Sequence, residues 1–203
     1  MRNSLRIVAL LLIFIPAQAQ NWNLFNKEYR YNYKFNNSQL VTNVLFADTV
    51  LLAGSDTIYN MNRIGVECTG SCPTITAALN PTVTYIVPNM PQFLQRTIRK
   101  YLNGIVMPKD TAKQVIIPTC SVTQTWLFDS ILNINATCIS ALVQNVFGQN
   151  DSVKTIIVGG NDTLLLSKSF GILQFPLPYG QNKYYRLAGI ERRNSYDQNP
   201  LFG

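Results

Sequence analysis

Apolar and polar positions alternate along most of this chain. Residues 25–36 show it best: Phe25, Tyr29, Tyr31, Tyr33 and Phe35 fall on one face, broken only by Lys27. Asn26, Glu28, Arg30, Asn32, Lys34 and Asn36 occupy the other. A helix would spread those aromatic rings around its circumference, so the spacing predicts a half-buried strand. Further strands are predicted at 39–47, 49–53, 57–65 and 82–87. Asn103-Gly104 separates two apolar runs and predicts a type I′ hairpin within 95–108. A strand at 113–117 and the Trp126-Leu127-Phe128 run follow. In the next segment Leu132, Ile134, Ala136 and Cys138 alternate with Asn133, Asn135 and Thr137. Val153–Val158 and Thr163–Leu166 flank the turn Gly159-Gly160-Asn161-Asp162, and strands at 170–175 and 184–190 complete the series. About a dozen short strands with turns every 8–12 residues predict an all-β fold. The expected form is an antiparallel sandwich or half-barrel.

The first residues follow a different pattern. Arg2 and Arg6 precede the nine-residue apolar run Ile7–Ile15, which Pro16 ends and Ala17-Gln18-Ala19 follows. This is the layout of a cleavable signal peptide over residues 1–19. Nine apolar residues fall short of the roughly 20 that cross a membrane, so no transmembrane anchor is expected after cleavage. The expected organisation is therefore a signal peptide, a β-rich domain at 20–190, and residues 191–203 as a tail or the start of a missing C-terminal region. The destination is outside the cytoplasm: secreted, at the cell surface, or in a periplasm.

Charge adds little. Without Arg2 and Arg6 the chain carries 15 basic and 10 acidic residues, a scattered net +5. Nucleic-acid binding would need a basic stripe on one face. The partners left in view are a polysaccharide or another surface protein. An oxidising compartment allows the four cysteines, Cys68, Cys72, Cys120 and Cys138, to form disulfides. Three connectivities are open. Cys68–Cys72 with Cys120–Cys138 is preferred, because the first pair straddles the tight Thr69-Gly70-Ser71 turn. The spacing lacks the two close ligand pairs of a structural zinc site, so no metal is expected.

The catalytic inventory is thin. There is no histidine, which removes Ser-His-Asp and Cys-His chemistry. With three Glu and seven Asp, a carboxylate-dependent hydrolase needs two acids facing each other, and Asp56 with Glu67 is a nameable pair. No phosphate-cradling loop is present, and no cofactor or catalytic residue is assigned. Six of the seven aspartates are followed by Ser or Thr and an aliphatic residue, which makes Thr49, Thr57, Thr111, Ser130, Ser152 and Thr163 a set. An aspartate that closes a turn before a strand accounts for that pattern. The same three-residue pattern resembles the O-glycosylation acceptor of exported Bacteroidota proteins.

A wider resemblance runs through residues 20–190. Gln20-Asn21-Trp22-Asn23-Leu24-Phe25, Gly54-x-Asp56-Thr57-x-Tyr59, Phe147-Gly148-x2-Asp151-Ser152-Val153-Lys154-Thr155-Ile156, Leu166-Ser167-Lys168-x2-Gly171-Ile172-x2-Phe175-Pro176 and Leu187-x-Gly189-Ile190 carry it. They resemble uncharacterised secreted proteins of Bacteroidota, many with a C-terminal sorting domain for type IX secretion. Such a domain is absent here, and the resemblance carries no site residue. The expected role is a non-enzymatic binding or structural module, with the rings of Tyr29, Tyr31 and Tyr33 as a candidate ligand-facing surface. A periplasmic carrier of an apolar ligand and a carboxylate-dependent hydrolase are the alternatives.

Overall fold

The structure, a computed structural model, describes residues 22–37, 41–64, 94, 97–101, 104–109, 112–177 and 179–193. These hold twelve strands: β1 (Tyr29–Phe35), β2 (Val41–Ala53), β3 (Asp56–Ile64), β4 (Thr97–Tyr101), β5 (Gly104–Lys109), β6 (Ala112–Ile116), β7 (Thr125–Asp129), β8 (Ile134–Val146), β9 (Gln149–Val158), β10 (Asp162–Ser167), β11 (Gly171–Pro176) and β12 (Tyr184–Arg192). Each strand pairs antiparallel with its neighbours in sequence, and β1 pairs with β12. The sheet is therefore a closed up-and-down barrel, not the expected sandwich or half-barrel. Closure follows from the last strand. Glu191 and Arg192, expected in a tail, pair with Arg30 and Tyr29 and so extend β12 along the whole of β1. Joining the two outer strands removes the open edges that a half-barrel would expose.

Other expectations shift at particular residues. The strands predicted at 39–47 and 49–53 are one strand, with Asp48 as a bulge between Ala47 and Thr49. The β4–β5 hairpin has Tyr101 opposite Gly104, so Gly104 is the first residue of β5 and not part of the turn; Asn103 lies outside the described residues. Phe25 belongs to no strand, because a turn over Asn26–Glu28 precedes β1 and the Tyr29 amide donates to the Asn26 carbonyl at 3.1 Å. The strand predicted at 82–87 lies outside the described residues.

The alternation of β1 sorts inside from outside. Tyr31 and Tyr33 point into the barrel, and Arg30, Asn32 and Lys34 lie on its outer wall. Ile98, Ile116, Phe128, Ile156, Leu166, Phe175 and Tyr185 fill the same interior. This places apolar side chains inside and polar ones outside on β1, the reverse of a lipid-spanning barrel wall.

Antiparallel order also sorts the connections into two ends. The β2–β3, β4–β5, β6–β7, β8–β9 and β10–β11 connections share the end where the chain enters β1 and leaves β12. We call this the terminal end, and the opposite one the far end. At the terminal end Trp22, Leu24 and Phe25 are buried inside the barrel. Phe25 meets Tyr31 and Tyr59 edge-on, each at 6.0 Å. The Leu24 backbone lies against Gly171, where a Cβ would come within 2.2 Å of the Leu24 carbonyl oxygen. Gly171 also has φ +79°, so only glycine fits there without strain.

Candidate functional site

At the far end the β9–β10 turn and the β11–β12 connection stand side by side. Gly159 and Gly160 take φ +61° and +89°, which brings the chain back in time for Asp162 to open β10 opposite Val158. Gly180 and Asn182 take positive φ in the neighbouring connection. The Gly180 amide donates to Asp162 Oδ2 at 2.5 Å and ties the two turns together. Between them lies a pocket of about 140 Å³, lined by Asn161, Asp162, Thr163, Gln174, Lys183 and Tyr184 among others.

Behind the pocket is a buried polar relay. Gln114 Nε2 donates to Asp129 Oδ2 at 2.9 Å and to the Tyr179 hydroxyl at 2.8 Å. Asp129 Oδ1 accepts the amides of Ile131 and Leu132, both at 3.0 Å, and so caps the β7–β8 turn. Burial raises the pKa of Tyr179, and the charges of Asp129 and Asp162 push it further the same way. The phenol therefore stays protonated. Two buried oxygens have no donor among the described residues: Gln114 Oε1 and Asp162 Oδ1. Asp162 is only 4% exposed, and a buried carboxylate oxygen left without a donor is costly.

The arrangement accepts hydrogen bonds more readily than it does chemistry. Both oxygens of Asp129 are taken up by protein donors, which leaves Asp162 Oδ1 as the unpartnered carboxylate oxygen here. Of the acid pair named from sequence, Asp56 sits at the start of β3, and Glu67 lies outside the described residues. Among the described residues no group of three or more His, Cys, Asp or Glu could hold a metal ion.

The tyrosine row is core rather than surface. Tyr31 and Tyr33 are buried, and Tyr29 is half-buried and packed against the core. Burial pushes the Tyr31 phenol up to about 12, and raises Tyr33 as well. The Tyr33 hydroxyl donates to the Ile172 carbonyl at 2.8 Å, inside the barrel. The candidate ligand-facing surface of Tyr29, Tyr31 and Tyr33 is thus withdrawn, because β1 turns that face inward.

The cysteines form a second buried cluster. Cys120 and Cys138 are buried free thiols, so the expected bridge between them is not formed, and Cys68 and Cys72 lie outside the described residues. Burial pushes the Cys120 thiol up to about 12; the neighbouring Cys138 thiol adds to this, and the Lys154 charge opposes it. Lys154 Nζ donates to the carbonyls of Pro118 (2.8 Å) and Cys120 (2.5 Å) and lies 4.8 Å from the Trp22 ring centre. A buried ammonium with these partners anchors the N-terminal segment and the β6–β7 connection to β9. Sequence reasoning missed this lysine, although it shares the inward face of Ile156 and Val158 at period 2.

Of the six candidate acceptor hydroxyls, Thr49 and Ser130 are exposed, and Thr57, Ser152 and Thr163 are half-buried. Thr111 lies outside the described residues. The turn explanation holds at Asp129, and Asp151 and Asp162 bind neighbouring turns, through Ser167 and Ser169 and through Gly180. It does not hold at Asp48, the bulge in β2. No family model matches the chain, and neither curated proteins nor solved structures give a match.

Proposed function

We propose that this chain is an exported, non-enzymatic binding barrel whose far-end pocket takes one unit of a small polyhydroxylated ligand, such as a sugar residue of a polysaccharide. Asp162 Oδ1 carries the reading: a buried carboxylate oxygen, without a protein donor, in a residue that lines the pocket. A sugar hydroxyl supplies the missing donor once the groups that cover this oxygen move aside. The side-chain amides of Asn161 and Gln174 and the Thr163 hydroxyl offer the mixed donors and acceptors that a polyol requires.

Size favours a small ligand. At about 140 Å³ the pocket is well below the roughly 300–1,000 Å³ of drug-sized sites, so it suits one ring rather than a large apolar cofactor. The carrier alternative draws less support, since Tyr33, Phe128, Phe175 and Tyr185 occupy the barrel interior. Export by a signal peptide at residues 1–19, and the kinship with secreted Bacteroidota proteins, belong to the same proposal and fit a ligand met outside the cytoplasm. Isothermal titration against neutral mono- and disaccharides tests the site. Saturable binding that Asp162→Asn weakens by about tenfold or more is expected, in line with the loss of one charge-assisted hydrogen bond. Binding that is indifferent to Asp162→Asn would remove the proposal.

A further inference from the structure

The barrel closes its sheet at β1 and β12, but among the described residues two long strands run on past a neighbour: β2 beyond Phe46 on its β1 side, and β8 beyond its pairing with β7. β7 has five residues and β8 thirteen. β7 pairs with β8 only over Ile134–Thr137, and Thr123 and Gln124 extend the contact by backbone bonds to Cys138. From Ile139 to Val146, β8 has β9 on one side and, among the described residues, no strand on the other. Here side chains pointing to both faces are exposed: Ile139 by 50%, Leu142 by 60% and Val143 by 70%. The β9 side of the ribbon is covered, since the Lys168 amide donates to the Ser152 carbonyl. At the tip, Phe147 takes φ +50° and packs edge-on against Phe170 at 5.5 Å, which holds the ribbon in place.

Monomeric proteins protect such an edge with lysine, proline or an inward charge. This segment has none of them: residues 130–150 contain no charged side chain and no proline, in a chain of formal net charge +7. A charge-free stretch is where two copies of a basic chain approach with least repulsion.

We infer that the free edge of β8 pairs antiparallel with the same edge of a second copy, about a two-fold axis through Leu142. Directly opposed residues of an antiparallel pair share a face, so a two-fold axis normal to the ribbon must set one residue opposite itself. Centring on Leu142 places Leu142 against Leu142, Ala141 against Val143, and Ser140 against Gln144. Apolar meets apolar and polar meets polar from Ser140 to Gln144, and only Ile139, the bulged residue of β8, meets a polar partner, Asn145. A partner recognised by charge finds nothing to read on this edge, and this favours self-pairing over an acidic or basic ligand.

Sedimentation velocity of the exported chain over a wide concentration range is the first test. A monomer–dimer equilibrium is expected, with Leu142→Lys shifting it at least tenfold toward monomer while the circular dichroism spectrum stays unchanged. Leu142→Cys gives a second, register-specific reading, since opposed residues stand at about the 4.4–6.8 Å Cα separation of a disulfide. Under mild oxidation it should give at least tenfold more covalent dimer than Leu52→Cys, which lies on another hairpin tip and is 82% exposed. A wild-type chain that stays monomeric throughout, or equal cross-linking of the two cysteine variants, overturns the inference. Pairing of this edge with a strand of a different protein would appear as the first of these.

Discussion

The two ends of this barrel are closed by different physics. At the terminal end Trp22, Leu24 and Phe25 enter the interior, and apolar contact does most of the work. At the far end the connections are tied by Gln114, Asp129, Tyr179 and Asp162, a relay of hydrogen bonds around a polar pocket. Apolar packing can fill a space completely, because each methylene gains by contact wherever it lands. A polar relay must match donors to acceptors, and here two acceptors are left over. On the proposed reading, the unmatched Asp162 oxygen is what a ligand at the far end would satisfy. The exposed side chains differ as well: Leu51, Leu52, Val122, Leu142, Val143 and Phe147 crowd the terminal-end hairpins, while Ile131 and Leu132 stand at the far end.

Four substitutions sharpen or break this contrast. Phe25→Ala should have the largest effect, about 3–5 kcal/mol of stability in denaturant unfolding, because it empties a site between Tyr31 and Tyr59. A loss under 1 kcal/mol would mean that the N-terminal segment does not fill the barrel. Gly171→Ala should cost about 3 kcal/mol, since it combines left-handed backbone strain with a clash against the Leu24 carbonyl. Its signature is increased hydrogen exchange and quencher access at residues 22–25, with the far end unchanged. Asp129→Ala should cost about 2 kcal/mol by stranding the Ile131 and Leu132 amides and the Gln114 side chain. If it loosened the terminal end equally, the two ends would not be separate devices.

The smallest effect is a pH dependence. Burial alone would raise the Asp151 carboxyl, but hydrogen bonds from Ser167 and Ser169 outweigh it and hold the group below the usual carboxylate range. A depressed folded-state pKa gives stability that is present above the unfolded value of about 3.9 and lost as pH falls through the folded one. Asp151→Asn should therefore be less stable than wild type at pH 7, and the gap should close as pH drops below about 4. A gap that persists unchanged to pH 2 would show that the charge is not what binds the β10–β11 turn.

Much of the barrel was legible in the sequence, because its strands keep strict alternation. The alternation around Tyr31 and Tyr33 marks a half-buried strand, but a ligand-facing platform would alternate in the same way, and only the fold turns that row inward. Closure was harder to see: β1 and β12 join residues as distant as Tyr29 and Arg192, and no local pattern encodes that pairing. Bulges hide the rest. Asp48 splits one strand into two apparent ones, and the irregularity between Cys138 and Ser140 sets which face Ala141 to Asn145 present. The far-end pocket was illegible for a related reason. Asp162 looks like an ordinary turn residue until β11 and its connection bring Gly180 beside it.

The most direct test of the account is an amide NMR titration of the folded chain with neutral monosaccharides. Saturable shifts are expected, confined to residues 159–163, 174 and 179–184, with the signals of 22–25 and 139–147 unmoved. Shifts confined to the terminal end, or none at any sugar concentration, would contradict it.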